Sequence, residues 1–311
     1  MNKKIKQYQV NWFFRKIKRK LTGKSVEFNV YAGREVMQLQ EANDMIAHSI
    51  SEGLSFAAGR LGATELQTVW KTDLPQNKEE KKRILNEMKT YSGFFPMDTE
   101  LLQDFSNIMK NACGQMDLLA VWFNEMEDYI IDMYGGNCRL TYLRALEPWY
   151  VERPWTRSLK DKKVLIIHPF ADTIKKQYEK RDFLFKNKEI LPEFKALYTV
   201  KAVQTIANAK DDRFKTWFEA LDWMFEEAMK TDFEVAVIGC GAYGFPLAAK
   251  IKSAGRSAIH MGGATQLLFG IKGNRWDTHP VIGKLYNEYW VRPDDSEKPE
   301  GLEAVEGGCY W

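Results

Sequence analysis

Arg60-Leu-Gly62-Ala-Thr-Glu65 sets a cation and a carboxylate around a glycine. Such a pair can face one ligand from two sides. A guanidinium matches a diphosphate through paired hydrogen bonds, and a carboxylate at a helix start can act as a base or bind a metal. The structural alternative for Glu65 is compensation of a helix N-terminus. His168 closes the apolar run Lys163-Val-Leu-Ile-Ile and precedes Pro169. It is placed as an acid, a base or a phosphate donor, although a single His is as often structural. Glu147 precedes Pro148-Trp149-Tyr150, a carboxylate beside aromatics of the kind that holds sugars.

A second constellation follows the apolar run Val235–Ile238. Gly239-Cys-Gly241-Ala-Tyr243-Gly244 has the spacing G-x-G-x-x-G and opens a helix of small residues, Phe245 to Ser253. A further apolar run, Ser257 to Met261, ends in Gly262-Gly263, and the basic-aromatic Lys272-Gly-Asn-Arg275-Trp276 comes after it. Glycines so placed let backbone N–H groups and a helix N-terminus approach a phosphate. The bland alternative is close packing of helix on strand. A dinucleotide site needs an acid at the end of the second strand to hold ribose hydroxyls. No carboxylate lies between Gly255 and Trp276, so a nucleotide or nucleotide-sugar is expected in preference to NAD. No Ser-His-Asp spacing, G-x-S-x-G, Walker sequence or Asp-x-Asp pair after a strand occurs.

These residues need elements to hold them. Strand-like runs at 54–60, 117–123, 163–168, 197–203, 235–238 and 257–261 alternate with helical stretches at 38–51, from 64, 98–111, 172–185 and 217–229. Alternation of this kind predicts an α/β, Rossmann-like fold with a mainly parallel sheet flanked by helices. Ligands of such sheets bind beyond the carboxyl ends of the strands, where Arg60, His168, Gly239 and Gly262 would sit.

The chain of 311 residues is 45% hydrophobic and 28% charged, the balance of a globular protein. Its net charge of +3 is uneven. Residues 1–24 hold nine of the 45 Lys and Arg and none of the 42 Asp and Glu, so the remainder is acidic. Val10, Trp12, Phe13, Phe14, Ile17 and Leu21 interleave with those cations, the composition of an interfacial amphipathic helix on an anionic membrane. An acidic body without a binding motif argues against a nucleic-acid partner. There is no apolar run long enough to span a bilayer. The scattered cysteines, with no C-x-x-C and no signal peptide, suggest a cytoplasmic protein, peripheral at the inner membrane face. The expected division is a basic segment 1–24, an α/β domain 25–283 and a polar tail 284–311, in which Trp290 and Trp311 are candidates to dock.

Ser55-Phe-Ala-Ala-Gly-Arg60-Leu-Gly-Ala63-Thr-Glu65 resembles the "S-F-x-R-F-G-D-G-E" strand and turn of GT-D-type glycosyltransferases. The turn Val237 to Gly244, with Gly262-Gly263, Gln266, Phe269-Gly270 and Arg275-Trp276, is similar to the C-terminal half of related proteins of bacterial surface-polysaccharide loci. The resemblance implies a GT-D-like fold and transfer of a sugar from a nucleotide-sugar to a glycan or lipid-linked acceptor. It also implies a divalent metal, Mn or Mg, on the Asp and Glu of the motif. Glu falls on Glu65, but Ala63 stands at the Asp position, so weak or absent metal dependence is expected, the alternative being a metal that draws on another acid such as Glu147. Arg60, Gly62, Gly239, Gly241, Tyr243, Gly244, Gly262, Gly263, Gln266 and Arg275 are the expected donor-binding residues, and Glu65, His168 and Glu147 the expected catalytic ones. The rival classes are a non-catalytic nucleotide-sugar-binding protein and another Rossmann-type enzyme, nicotinamide-dependent or a methyltransferase.

Overall fold

A computed structural model describes residues 3–22, 28–206, 209–299, 301–304 and 307–311. The described strands are β1 (Val30–Tyr31), β2 (Arg34–Met37), β3 (Ala57–Gly59), β4 (Leu118–Val121), β5 (Arg139–Tyr142), β6 (Lys163–His168), β7 (Ala196–Lys201), β8 (Val235–Ile238) and β9 (Ser257–His260). They form one sheet in the order β1-β2-β5-β4-β3-β9-β8-β6-β7. Only the β1–β2 pair is antiparallel among them, so the expected mainly parallel sheet is observed. The strands of residues 30–142 lie on one side and those of residues 163–260 on the other. The two halves meet where β3 pairs with β9, Ala57 opposite Ala258 and Ala58 opposite Ile259.

The helices are α1 (Lys3–Thr22), α2 (Leu39–Ser51), α3 (Ala63–Lys71), α4 (Lys78–Ser92), α5 (Leu101–Gln115), α6 (Glu127–Tyr134), α7 (Ala171–Tyr178), α8 (Arg181–Leu184), α9 (Trp217–Met229), α10 (Gly244–Ser253) and α11 (Thr265–Leu268). Central strands are apolar on both faces because helices cover both. Along β6, Leu165 and Ile167 enter a core with α3, α5, α9 and α10, while Val164 and Ile166 enter the opposite one with α2, α7 and α11. That is the two-residue alternation of a pleated strand.

Both ends of the chain pack more closely than composition suggests. In α1 the side chain of Ile5 is buried, the Tyr8 hydroxyl donates to Asp132 at 2.8 Å, and Arg15 pairs with Asp128 at 2.7 Å. Val10, Phe13, Phe14, Ile17 and Leu21 remain exposed. Beyond position 284 the segment is docked on the body through the two tryptophans that were candidates for it. Trp290 and Trp311 are buried, and the Trp290 indole donates to the Leu184 carbonyl at 3.1 Å. The Glu297 carboxylate accepts from the Asp172 amide at 2.9 Å and also from the amide and hydroxyl of Thr173. It thereby satisfies the open donors at the start of α7. Acidic composition concealed this role, since a carboxylate that caps a helix reads like a solvated one.

Glu297→Ala should therefore lower unfolding stability by about 2 kcal/mol, because buried amides lose a charged acceptor. Thermal melting checks this; a tail carried free of the body would leave the midpoint unchanged.

Candidate functional site

The chain leaves β6 for α7 on one face of the sheet and leaves β8 for α10 on the other. Loops that part in this way leave a crevice beyond the carboxyl ends of the two strands. His168, Phe170, Gly239, Gly241 and Tyr243 line it. A second hollow, lined by Glu65, Trp122, His260 and Arg275, lies toward β3. The two meet at Arg60, Tyr91, Gly241, Ala242 and Tyr310.

Arg60 follows the last residue of β3 and reaches across the seam. Its guanidinium lies over the Trp122 ring, 4.4 Å from the centroid, and against Gly262, just after β9. A Cβ on Gly262 would stand 2.1 Å from Arg60 Nη2. Among the described residues the guanidinium makes no hydrogen bond and no ion pair; the Trp122 face is its contact. Burial lowers its pKa, opposed by Tyr310, Glu65 and Glu147. Five N–H donors held in a cleft with a ring as their main partner have the chemistry to receive an anion.

The glycines act otherwise than their spacing implies. Gly239 gives way to the Gly262 carbonyl and the His168 ring, Gly244 to the His260 ring, Gly262 to Arg60 and Gly263 to Tyr310, each within 2.7 Å of a Cβ placed there. Gly62 makes room for the Glu65 carboxylate. Gly241 differs: its φ is +58°, and an added Cβ would meet nothing within 4 Å. It is the turn residue whose backbone faces open space, and left-handed φ explains why it is glycine. The G-x-G-x-x-G spacing thus reflects the close packing of side chains around the turn at every glycine except this one.

His168 accepts from the Phe170 amide through Nδ1 at 3.0 Å, which leaves the proton on Nε2. Burial pushes its pKa down to about 3, so it is a neutral donor rather than a base. Glu65 is buried and accepts from the Ser92 hydroxyl at 2.6 Å. Glu147 has the opposite poise. Loss of water pushes it up to about 7, while Arg60, Arg144 and Arg275 pull it down. Tyr243 stacks on Trp217 at 4.7 Å and bonds Thr205, shaping the crevice wall. Gln266 is buried, and its amide donates to the carbonyls of Ile271, Lys272 and Tyr310. It braces that backbone from a position that also lines the crevice. Arg275 is exposed at the rim, where its Nη1 donates to the Tyr310 hydroxyl at 2.9 Å.

The residues do not fit the divalent ion that the motif implies. Ala63 offers no ligand, Glu65 is engaged by Ser92, and no three His, Cys, Asp or Glu come together among the described residues. Trp122 and Tyr310 were not legible as site residues. Trp122 had a signal, since it directly follows a buried apolar run whose carboxyl end must face the same edge as Arg60. Tyr310 had none, because its position depends on the docking of residues 284–311.

No protein-family model and no curated protein matches the chain. Solved structures similar to it in chain path include a selenomethionine-substituted domain of unknown function 1792, at 12% identity over 75% of this chain and 79% of that one, with a TM-score of 0.40. Another, described as a domain of unknown function 1792 with a distinct glycosyltransferase fold, is 12% identical over 74% and 79%, with a TM-score of 0.41. A third, described as a new glycosyltransferase from Streptococcus sanguinis, is 11% identical over 85% and 96%, with a TM-score of 0.44. At this level the likeness adds nothing to what the site's own residues show.

Gly262→Ala should displace the Arg60 guanidinium as well as strain a backbone whose φ is +66°. Gly255→Ala, at φ +83° with nothing within 4 Å, carries the backbone strain alone. Both variants should melt lower, and calorimetry should show that Gly262→Ala also loses binding of nucleoside diphosphates while Gly255→Ala keeps it.

Proposed function

We propose that the protein is a glycosyltransferase that takes a sugar from a nucleotide-sugar without a metal ion. The Arg60 guanidinium, held in the cleft with no direct ion pair among the described residues and with Glu65 and Glu147 acting on it only through space, carries the assignment. It suits the diphosphate of the donor, with Arg275 at the rim, the open backbone at Gly241 and the Nε2 proton of His168 as further donors. Two guanidinium groups offset the charge that grows on the leaving diphosphate, the task a metal would otherwise perform. Glu147 takes the proton from the acceptor hydroxyl as that oxygen attacks the anomeric carbon and the bond to the diphosphate breaks. A carboxyl poised near 7 suits this work at neutral pH. Glu65 keeps the turn after β3 in shape through Ser92. The absence of an acid after β9 counts against a nicotinamide enzyme or a methyltransferase, and a non-catalytic binding protein would need no titrating carboxyl beside the cations.

Residues of α1 support an acceptor at an anionic membrane, a lipid-linked glycan or a polysaccharide. Val10, Phe13, Phe14, Ile17 and Leu21 are exposed on the docked helix, with exposed Lys6, Lys16 and Lys20 near them. A stripe of this kind enters the headgroup boundary while its lysines meet lipid phosphates. Among the described residues no helix is long and apolar enough to cross a membrane.

Hydrolysis of a nucleotide-sugar panel tests the chemistry. The reaction should persist in chelator. Its kcat/KM should rise with pH through about 7, because the raised pKa of Glu147 delays the ionised base until then. Glu147→Gln should abolish that limb and lower the rate on the order of a hundredfold or more. A limb that survives in the variant rules out Glu147 as the base.

For the membrane contact, Phe13→Asp with Phe14→Asp should lose binding to phosphatidylglycerol vesicles with an unchanged melting midpoint. Undiminished sedimentation with the vesicles would remove α1 from the account.

A further inference from the structure

Residues 307–311 run directly over the junction of the two hollows. Gly307 and Gly308 turn the chain there in the left-handed region, at φ +66° and +74°. Two backbone hydrogen bonds and one from the Gln266 side chain help to hold the segment in place. The Arg275 amide donates to the Cys309 carbonyl and the Asn274 amide to the Trp311 carbonyl, each at 3.0 Å, and Gln266 donates to the Tyr310 carbonyl at 3.0 Å. Trp311 wedges against Phe170 at 5.7 Å. The Tyr310 ring then lies against Gly263, where a Cβ would stand 2.2 Å from its Cε1, and under the Arg275 guanidinium at 5.1 Å. Its hydroxyl accepts the 2.9 Å hydrogen bond from Arg275 and bears electrostatically on Arg60.

We propose that residues 307–311 form a strap whose Tyr310 hydroxyl competes with the donor's diphosphate for Arg275, so that donor entry displaces the ring. The inference rests on the anion site described above. A phenol is a neutral acceptor, and it takes from Arg275 what a phosphate oxygen would take more strongly. It does not neutralise Arg60, which keeps the attraction for an anion in force while the strap is closed. Because the ring fills the place where both hollows join, a ligand that spans them must move it. The links named above are hydrogen bonds and ring contacts, which can re-form when the diphosphate leaves.

Calorimetric titration of the wild-type chain and of Tyr310→Phe with uridine diphosphate, and with inorganic pyrophosphate, tests the proposal. Phenylalanine keeps the ring against Gly263 and removes only the competing oxygen, so affinity should tighten on the order of tenfold. Weaker binding by Tyr310→Phe would make the hydroxyl a ligand contact instead, and equal binding would make it a bystander; either result overturns the strap and leaves the anion site standing. Binding by neither chain overturns the anion site, and the strap with it. Hydrogen exchange of the wild-type Asn274 and Arg275 amides gives an independent measure. It should quicken at saturating uridine diphosphate, and unchanged or slower exchange contradicts displacement.

Discussion

The contact on which the site depends is an arginine laid across the seam of the sheet. Arg60 leaves the end of β3, and its guanidinium rests on Gly262 beyond β9, beneath the face of Trp122. It joins the half of the sheet built from the early strands to the half built from the late ones. A charge withdrawn from water without a carboxylate in direct contact costs several kcal/mol, and Glu65 and Glu147 offset it only through space. A protein keeps such an arrangement where an anion completes it, and strain or unpaired charge at one position is borne by the rest of the fold.

Much of the surrounding structure supports this arrangement. Small residues at the seam, Ala57, Ala58 and Gly59, let β3 and β9 pair with Phe245 and His260 close by. Glu127, buried at the start of α6, accepts from the amides of Trp122 and Asn124 and so shapes the loop that carries the indole. Burial pushes Glu127 up to about 7, while the same amides draw it down. Next to it, Asp128 pairs with Arg15 of α1, whose guanidinium also sits over Phe28 and Tyr31. The N-terminal helix is thereby anchored to the element that positions the arginine's aromatic cover.

The fold was largely legible because period-two apolar runs and their alternation with helices depend on local sequence. The buried strand Lys163–His168 and the run Val235–Ile238 have the bounds that the pattern predicts. Arg60 was legible for the same reason, being a cation at the end of a strand. Two kinds of feature were hidden. The glycine spacing suggested approach to a phosphate, yet Gly239, Gly244, Gly262 and Gly263 mostly accommodate His168, His260, Arg60 and Tyr310 from distant parts of the chain. In the segment after 284 the tryptophans were legible as candidates to dock, but not their partners or the role of Glu297, because Trp290, Glu297 and Trp311 find those partners over a hundred residues earlier, on α8, α7 and Phe170. Non-local contacts of this kind leave no periodic trace.

The central claim is that Arg60 is held for an anion and not for the fold. Paired measurement of melting and of uridine diphosphate binding for Arg60→Met tests it directly. Methionine retains much of the side chain's length and removes the charge. The account predicts that diphosphate binding is lost while the melting midpoint holds or rises, since a buried cation without a direct ion pair has been removed. A variant that melts well below the wild type and binds the diphosphate unchanged would contradict it.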